Sequence, residues 1–102
     1  MNSGSYQRKV TVRDPLGLHM RPLTAFAQLA IKFKSAVFVT KDDQRVNGKS
    51  PLELMLLAAG QGTELMLEVS GDDAENALDP LAELLEAPGY QEPLEPPVPP
   101  KG

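Results

Sequence analysis

His19 is the single histidine of this 102-residue chain, set in the stretch Leu16-Gly17-Leu18-His19-Met20-Arg21-Pro22. An imidazole titrates near neutrality, so one ring nitrogen keeps a lone pair for attack on phosphorus, and phosphate carried on nitrogen stays labile enough to be passed on. Arg21, two residues on, offers a planar guanidinium fork to transferring oxygens. Gly17 lets the backbone turn so that the ring faces outward. Each residue also has a plain role, as a capping histidine, a solvated arginine and a turn glycine. The element that follows separates the readings. From Met20 onward Leu23, Phe26, Ala27, Ala30 and Phe33 recur at helical spacing, with Pro22 in the first turn, where its missing N–H does no harm. His19 therefore stands at a helix N-terminus, where an anion meets the backbone N–H groups of Met20 and Arg21 and the positive end of the helix dipole. Phosphate fits that position. No metal is expected, since cysteines and a second histidine are missing and no carboxylates cluster beside His19. Nor does spacing support a serine-histidine-acid set.

The elements around this helix follow from periodicity. Residues 8–13, RKVTVR, alternate about Val10 and Val12 and predict a strand that DPLG ends near Arg13. Residues 36–40, AVFVT, and the short run RVNG on the far side of KDDQ predict a hairpin, with Asn47-Gly48 as an alternative turn. Ser50 is a good N-cap, Pro51 suits the first helical position and Gly60 supplies a stop, so a second helix is predicted with Leu52, Met55, Leu56 and Ala59 as its buried stripe. Residues 63–71 place Leu65, Leu67 and Val69 inward on a strand. Residues 72–87 form an acid-started amphipathic helix in which Pro80 is expected to make a kink or a restart at Asp79. The order is β-α-β-β-α-β-α. Six of the ten prolines fall after Ala87, so residues 1–87 are read as one folded domain and residues 88–102 as a proline-rich flexible tail.

Charge divides the chain unevenly. Residues 1–49 sum to +6 and the remainder to −10, for a net of −4. A basic half suits an acidic partner or a phosphate. Nucleic acid is set aside because the chain has five aromatics, no tryptophan and no tight Lys/Arg cluster. The stretch MNSGSYQRKV holds no apolar core of signal-peptide length and no apolar run is long enough to span a bilayer, so a soluble cytoplasmic protein is expected.

The core Gly-Leu-His-x-Arg-Pro, with Ser50 in GKSPLELMLLAAGQGT 31 residues beyond His19, resembles the histidine-containing phosphocarrier (HPr) family of the bacterial phosphoenolpyruvate-dependent sugar phosphotransferase system. The resemblance runs from about Arg8 to Glu86. It implies an α+β open-faced β-sandwich, a four-stranded antiparallel sheet with three helices on one face. It also implies that His19 is phosphorylated through Nδ1, that Arg21 steadies the phosphoryl group, and that Ser50 matches a serine modified by a dedicated HPr kinase/phosphorylase. The expected partners are an enzyme I-like kinase as donor and an enzyme IIA-like acceptor, met by a monomer with no cofactor, acting as a shuttle and not as a turnover enzyme. Met20, Thr24, Pro51, Leu52 and Met55 are expected to line the docking face, with Arg21, Lys49 and Arg45 attracting the partner; Leu52 and Met55 have partial core membership as their alternative. Met20 stands where the family usually has alanine, and Pro51 and Glu53 replace an apolar residue and, often, glycine. Two other readings stand beside this one. One is a regulatory HPr-like protein that works by docking and Ser50 phosphorylation without sugar transport. The other is a polyproline adaptor built on PPVPPK.

Overall fold

The computed structural model describes residues 4–88. The proline-rich segment and its PPVPPK motif lie, but for Pro88, outside the described residues. The elements follow the order β1 (Gly4–Thr11), α1 (Met20–Ile31), β2 (Ala36–Lys41), β3 (Gln44–Asn47), α2 (Pro51–Leu56), β4 (Glu64–Gly71) and α3 (Ala74–Glu86). The strands form one antiparallel sheet in the order β1-β4-β2-β3. Strand alternation sends Val10, Leu65, Leu67, Val69, Val37, Val39 and Val46 to one face, where they meet Leu23, Phe26, Ala27 and Ala30 of α1 and Ala77, Leu81, Ala82 and Leu85 of α3. The other face is polar. On it Gln7 and Arg45 both donate to the Glu68 carboxylate, at 3.2 and 3.1 Å, and the Arg45 guanidinium stacks 3.8 Å over the Phe38 ring. This is the open-faced sandwich expected from the chain.

Several boundaries differ from the sequence reading. β1 begins at Gly4 and its ladder ends at Thr11, because it pairs residue for residue with the eight residues of β4. Val12 stays buried but bonds the turn at residues 62–63. Phe33 falls beyond the end of α1. α2 stops at Leu56, short of Gly60: Lys41 and Gln44 of the hairpin donate to the Leu57 and Leu56 carbonyls, and Ala58 turns into the left-handed region at φ 47°. The buried stripe is also out of phase with the expectation. Leu54, Leu57 and Ala59 are buried, whereas Leu52, Met55 and Leu56 are exposed. Only Ala59 of the expected set is in the core. α3 runs as one helix through Pro80 with no restart at Asp79. Buried Ala77 and Leu81 on either side, and the ion pair of Asp79 with Arg8 of β1, hold both halves to the sheet.

At the end of α1 the chain is clamped by Asp73, the residue preceding α3. Its carboxylate accepts from the Lys34 N–H at 2.8 Å, the Ser35 N–H at 2.9 Å and the buried Ser35 hydroxyl. The Ser35 hydroxyl, followed by the Lys34 amide, holds the Asp73 carboxyl below its ordinary value of 3.8. A carboxyl lowered by folding adds stability that is complete above its unfolded pKa and disappears as pH falls through the folded one. Asp73→Asn is therefore expected to be less stable than the parent at neutral pH, with the gap closing below the ordinary value of 3.8. Urea denaturation at pH 7 and at pH 3 measures it; a gap unchanged with pH would mean that the charge contributes nothing.

Candidate functional site

The loop between β1 and α1 builds the site. Asp-Pro-x-Gly is a turn signature, and here the Gly17 N–H donates to the Asp14 carbonyl at 2.8 Å while the Leu16 N–H donates to Asp14 Oδ1 at 2.9 Å. Gly17 adopts φ +75° with its α-carbon pressed against the turn after α2: a β-carbon there would lie 2.7 Å from the Ala59 carbonyl oxygen. The Leu18 N–H donates to that same oxygen at 2.8 Å. Any side chain at residue 17 would suffer both the backbone conformation and the contact. The loop is thereby seated on residues 59–60, and His19 emerges from it as the N-cap of α1, in extended conformation.

The His19 side chain makes no capping bond to its own helix, and one third of it is exposed. Its Nε2 lies 3.4 Å from Oδ2 of Asp14, a residue only 7 % exposed. Spacing alone predicts no carboxylate at His19; the turn folds Asp14, five positions earlier, back to the ring. Residues 14–17, DPLG, both end the strand and carry the turn signal that brings the acid round. Of the two ring nitrogens, Nε2 is thus the one held near a carboxylate. The first-turn N–H groups of Met20 and Arg21 have no acceptor within the helix, and Pro22 carries none, so the helix end favours an anion.

The residues proposed for docking divide. Met20 and Arg21 are exposed beside His19, and Thr24 is half-buried one turn on. Leu52, Met55 and Leu56 add an exposed apolar strip on α2, and Leu16 extends it on the loop; Leu16 and Leu56 were not in the expected set. Half-buried Pro51 opens α2. Ser50 caps that helix, its hydroxyl accepting from the Glu53 N–H at 3.2 Å, and α2 turns its C-terminal end, not Ser50, toward the His19 loop. Two of the three expected cations are not brought to His19. Lys49 Nζ donates to the Phe33 carbonyl at 2.9 Å, past the opposite end of α1, roughly 18 Å along a twelve-residue helix. Arg45 is on the polar face of the sheet, because buried Val46 fixes the alternation of β3.

Fold and site together define a small carrier-type α+β domain that offers one histidine at a helix end. The family model for the PTS HPr component phosphorylation site matches residues 6–87. The chain is 46 % identical over 79 residues to the phosphocarrier protein HPr of Neisseria meningitidis, covering 78 % of this chain and 89 % of that one. It is 47 % identical over 76 residues to the HPr-like protein Crh of Bacillus subtilis, covering 74 % and 89 %. Among solved structures, the phosphocarrier protein HPr from Bacillus anthracis superposes with a TM-score of 0.76 at 38 % identity, covering 80 % of this chain and 98 % of that one. The chain belongs to the HPr family of phosphotransferase-system phosphocarriers. Among the described residues no helix is long and apolar enough to cross a membrane.

Proposed function

We propose that the protein is a phosphoryl carrier in which His19 takes a phosphoryl group from an enzyme I-like kinase and delivers it to an enzyme IIA-like acceptor. The observation that carries this reading is the placement of His19, which caps α1 without spending its side chain on the cap and has the exposed apolar residues Leu16 and Met20 on its own loop and first turn. The lone pair on Nδ1 attacks phosphorus, the donor's N–P bond breaks, and its electron pair returns to the donor ring; delivery is the same exchange in reverse. Arg21 steadies the phosphoryl oxygens, and the first-turn amides favour their charge. The apolar strip of Leu16, Met20, Leu52, Met55 and Leu56 supplies the desolvated centre of a transient interface. Incubation with enzyme I, phosphoenolpyruvate and magnesium, followed by mass measurement, tests the reading: one acid-labile, base-stable phosphate is expected, and none would overturn it.

The match to the HPr-like protein Crh and the position of Ser50 favour a second reading, in which the chain also serves as a regulatory docking protein switched by an HPr kinase/phosphorylase at Ser50. As an N-cap, Ser50 already holds an acceptor oxygen at a helix start, where phosphate is tolerated, although Glu53 stands in the same turn. Ser50→Asp is expected to keep the fold and to slow phosphorylation of His19 several-fold by placing charge on the face that meets the kinase. Equal rates for the parent and the variant would remove the switch while leaving the carrier reading intact.

A further inference from the structure

The geometry points to Asp14 as a positioning residue that holds the His19 ring with its proton on Nε2 and its lone pair on Nδ1. This rests on the carrier reading for its consequence but not for its physical basis. The carboxylate Oδ2 lies 3.4 Å from Nε2, and Asp14 is almost fully enclosed. Its other oxygen is committed to the Leu16 N–H, and its carbonyl to the Gly17 N–H, so the acid is fixed on the loop it organises. An ionised carboxylate only accepts hydrogen bonds, and a neutral imidazole has one N–H. The nitrogen nearer Asp14 is therefore the one on which the carboxylate favours the proton. Nδ1 is left as the nucleophile.

The same contact matters after transfer. When Nδ1 attacks phosphorus, the N–P bond forms with the Nδ1 electron pair, the donor's N–P bond breaks toward the donor, and the Nε2 proton stays where it is. The ring then carries positive charge, balanced by the Asp14 carboxylate at its far nitrogen. On delivery the electron pair returns to Nδ1 and the group that leaves is a neutral imidazole. Without a proton on Nε2 the leaving group would be an imidazolate anion, which departs far less readily. Asp14 thus serves both halves of the shuttle without touching phosphate.

Asp14→Asn is the test, because it is nearly isosteric and separates the two oxygens. The amide oxygen can still accept from Leu16, which preserves the turn, while the amide NH₂ then faces Nε2 and donates to it. That arrangement favours the Nδ1–H tautomer and removes the nucleophile's lone pair. The loss expected in the rate of phosphoryl uptake is roughly 10- to 100-fold. This is less than the ~10⁴ that the corresponding change costs a serine-protease triad, since one third of the His19 side chain meets solvent. Long-range ¹⁵N–¹H NMR of the intact protein reads the tautomer directly: the parent is expected to show Nε2–H, and Asp14→Asn a shift toward Nδ1–H with an unchanged backbone spectrum outside residues 13–20. A parent ring protonated on Nδ1, or a variant with the parent's tautomer and rate, would overturn the assignment. Failure of the parent to accept phosphate would instead overturn the carrier reading, and the NMR measurement would still decide whether Asp14 orients the ring.

Discussion

His19→Ala is expected to accept no phosphoryl group from enzyme I and phosphoenolpyruvate, under conditions in which the parent accepts one. The change removes the only imidazole in the chain, and the expected acid-labile, base-stable phosphate is one carried on nitrogen. The fold should survive it. The His19 side chain makes no capping bond, and the anchors of the loop are the backbone of Gly17 and Leu18 and the carboxylate of Asp14. Loss of uptake with an unaltered melting curve is thus the result that assigns the chemistry to the ring. Phosphate persisting on the alanine variant, acid-labile or otherwise, would move the acceptor elsewhere and sink the proposed function.

A large stability effect is expected from α2. Truncating Leu54 to alanine is expected to cost about 2–5 kcal/mol, because the side chain is 1 % exposed and its loss leaves a cavity between α2 and the sheet. In a domain of this size that lowers the melting temperature by roughly 10 °C or more. The same truncation at Leu52, 74 % exposed, should stay within about 0.5 kcal/mol and instead weaken docking. Thermal unfolding of the two variants side by side decides the phase of the helix. Comparable losses at both positions, or a larger one at Leu52, would show that α2 is rotated from the arrangement described.

That helix also shows where a one-dimensional reading runs out. In the run Leu52-Glu53-Leu54-Met55-Leu56-Leu57, positions 52, 55 and 56 and positions 54 and 57 both satisfy a helical apolar spacing. With six helical residues there are fewer than two turns over which a drift could select one phase. The choice was made by Lys41 and Gln44, which take the last carbonyls, and by the left-handed turn at Ala58 that carries Ala59 onto the His19 loop. Longer elements were legible because they repeat. The Leu65, Leu67 and Val69 alternation of β4 and the Leu23, Phe26, Ala27 and Ala30 stripe of α1 each give enough periods to name the buried side. The early start of β1 was not legible, since Gly4, Ser5 and Gln7 have little strand preference and are paired because β4 offers them an edge.

The candidate site divides in the same way. What the sequence by itself determined was local: a lone histidine, a glycine two residues before it, an arginine and a proline after it, and a helix that starts there, all specified by steric and hydrogen-bonding rules acting over one or two turns of chain. Tertiary structure decided everything that depends on distance through space. It seated the His19 loop on Ala59 and Gly60, sent Arg45 to the far face through the burial of Val46, and drew Lys49 to the opposite end of α1. Burial and closure of a sheet assign faces and neighbours only once all four strands are in place, and no window of sequence short enough to read contains them.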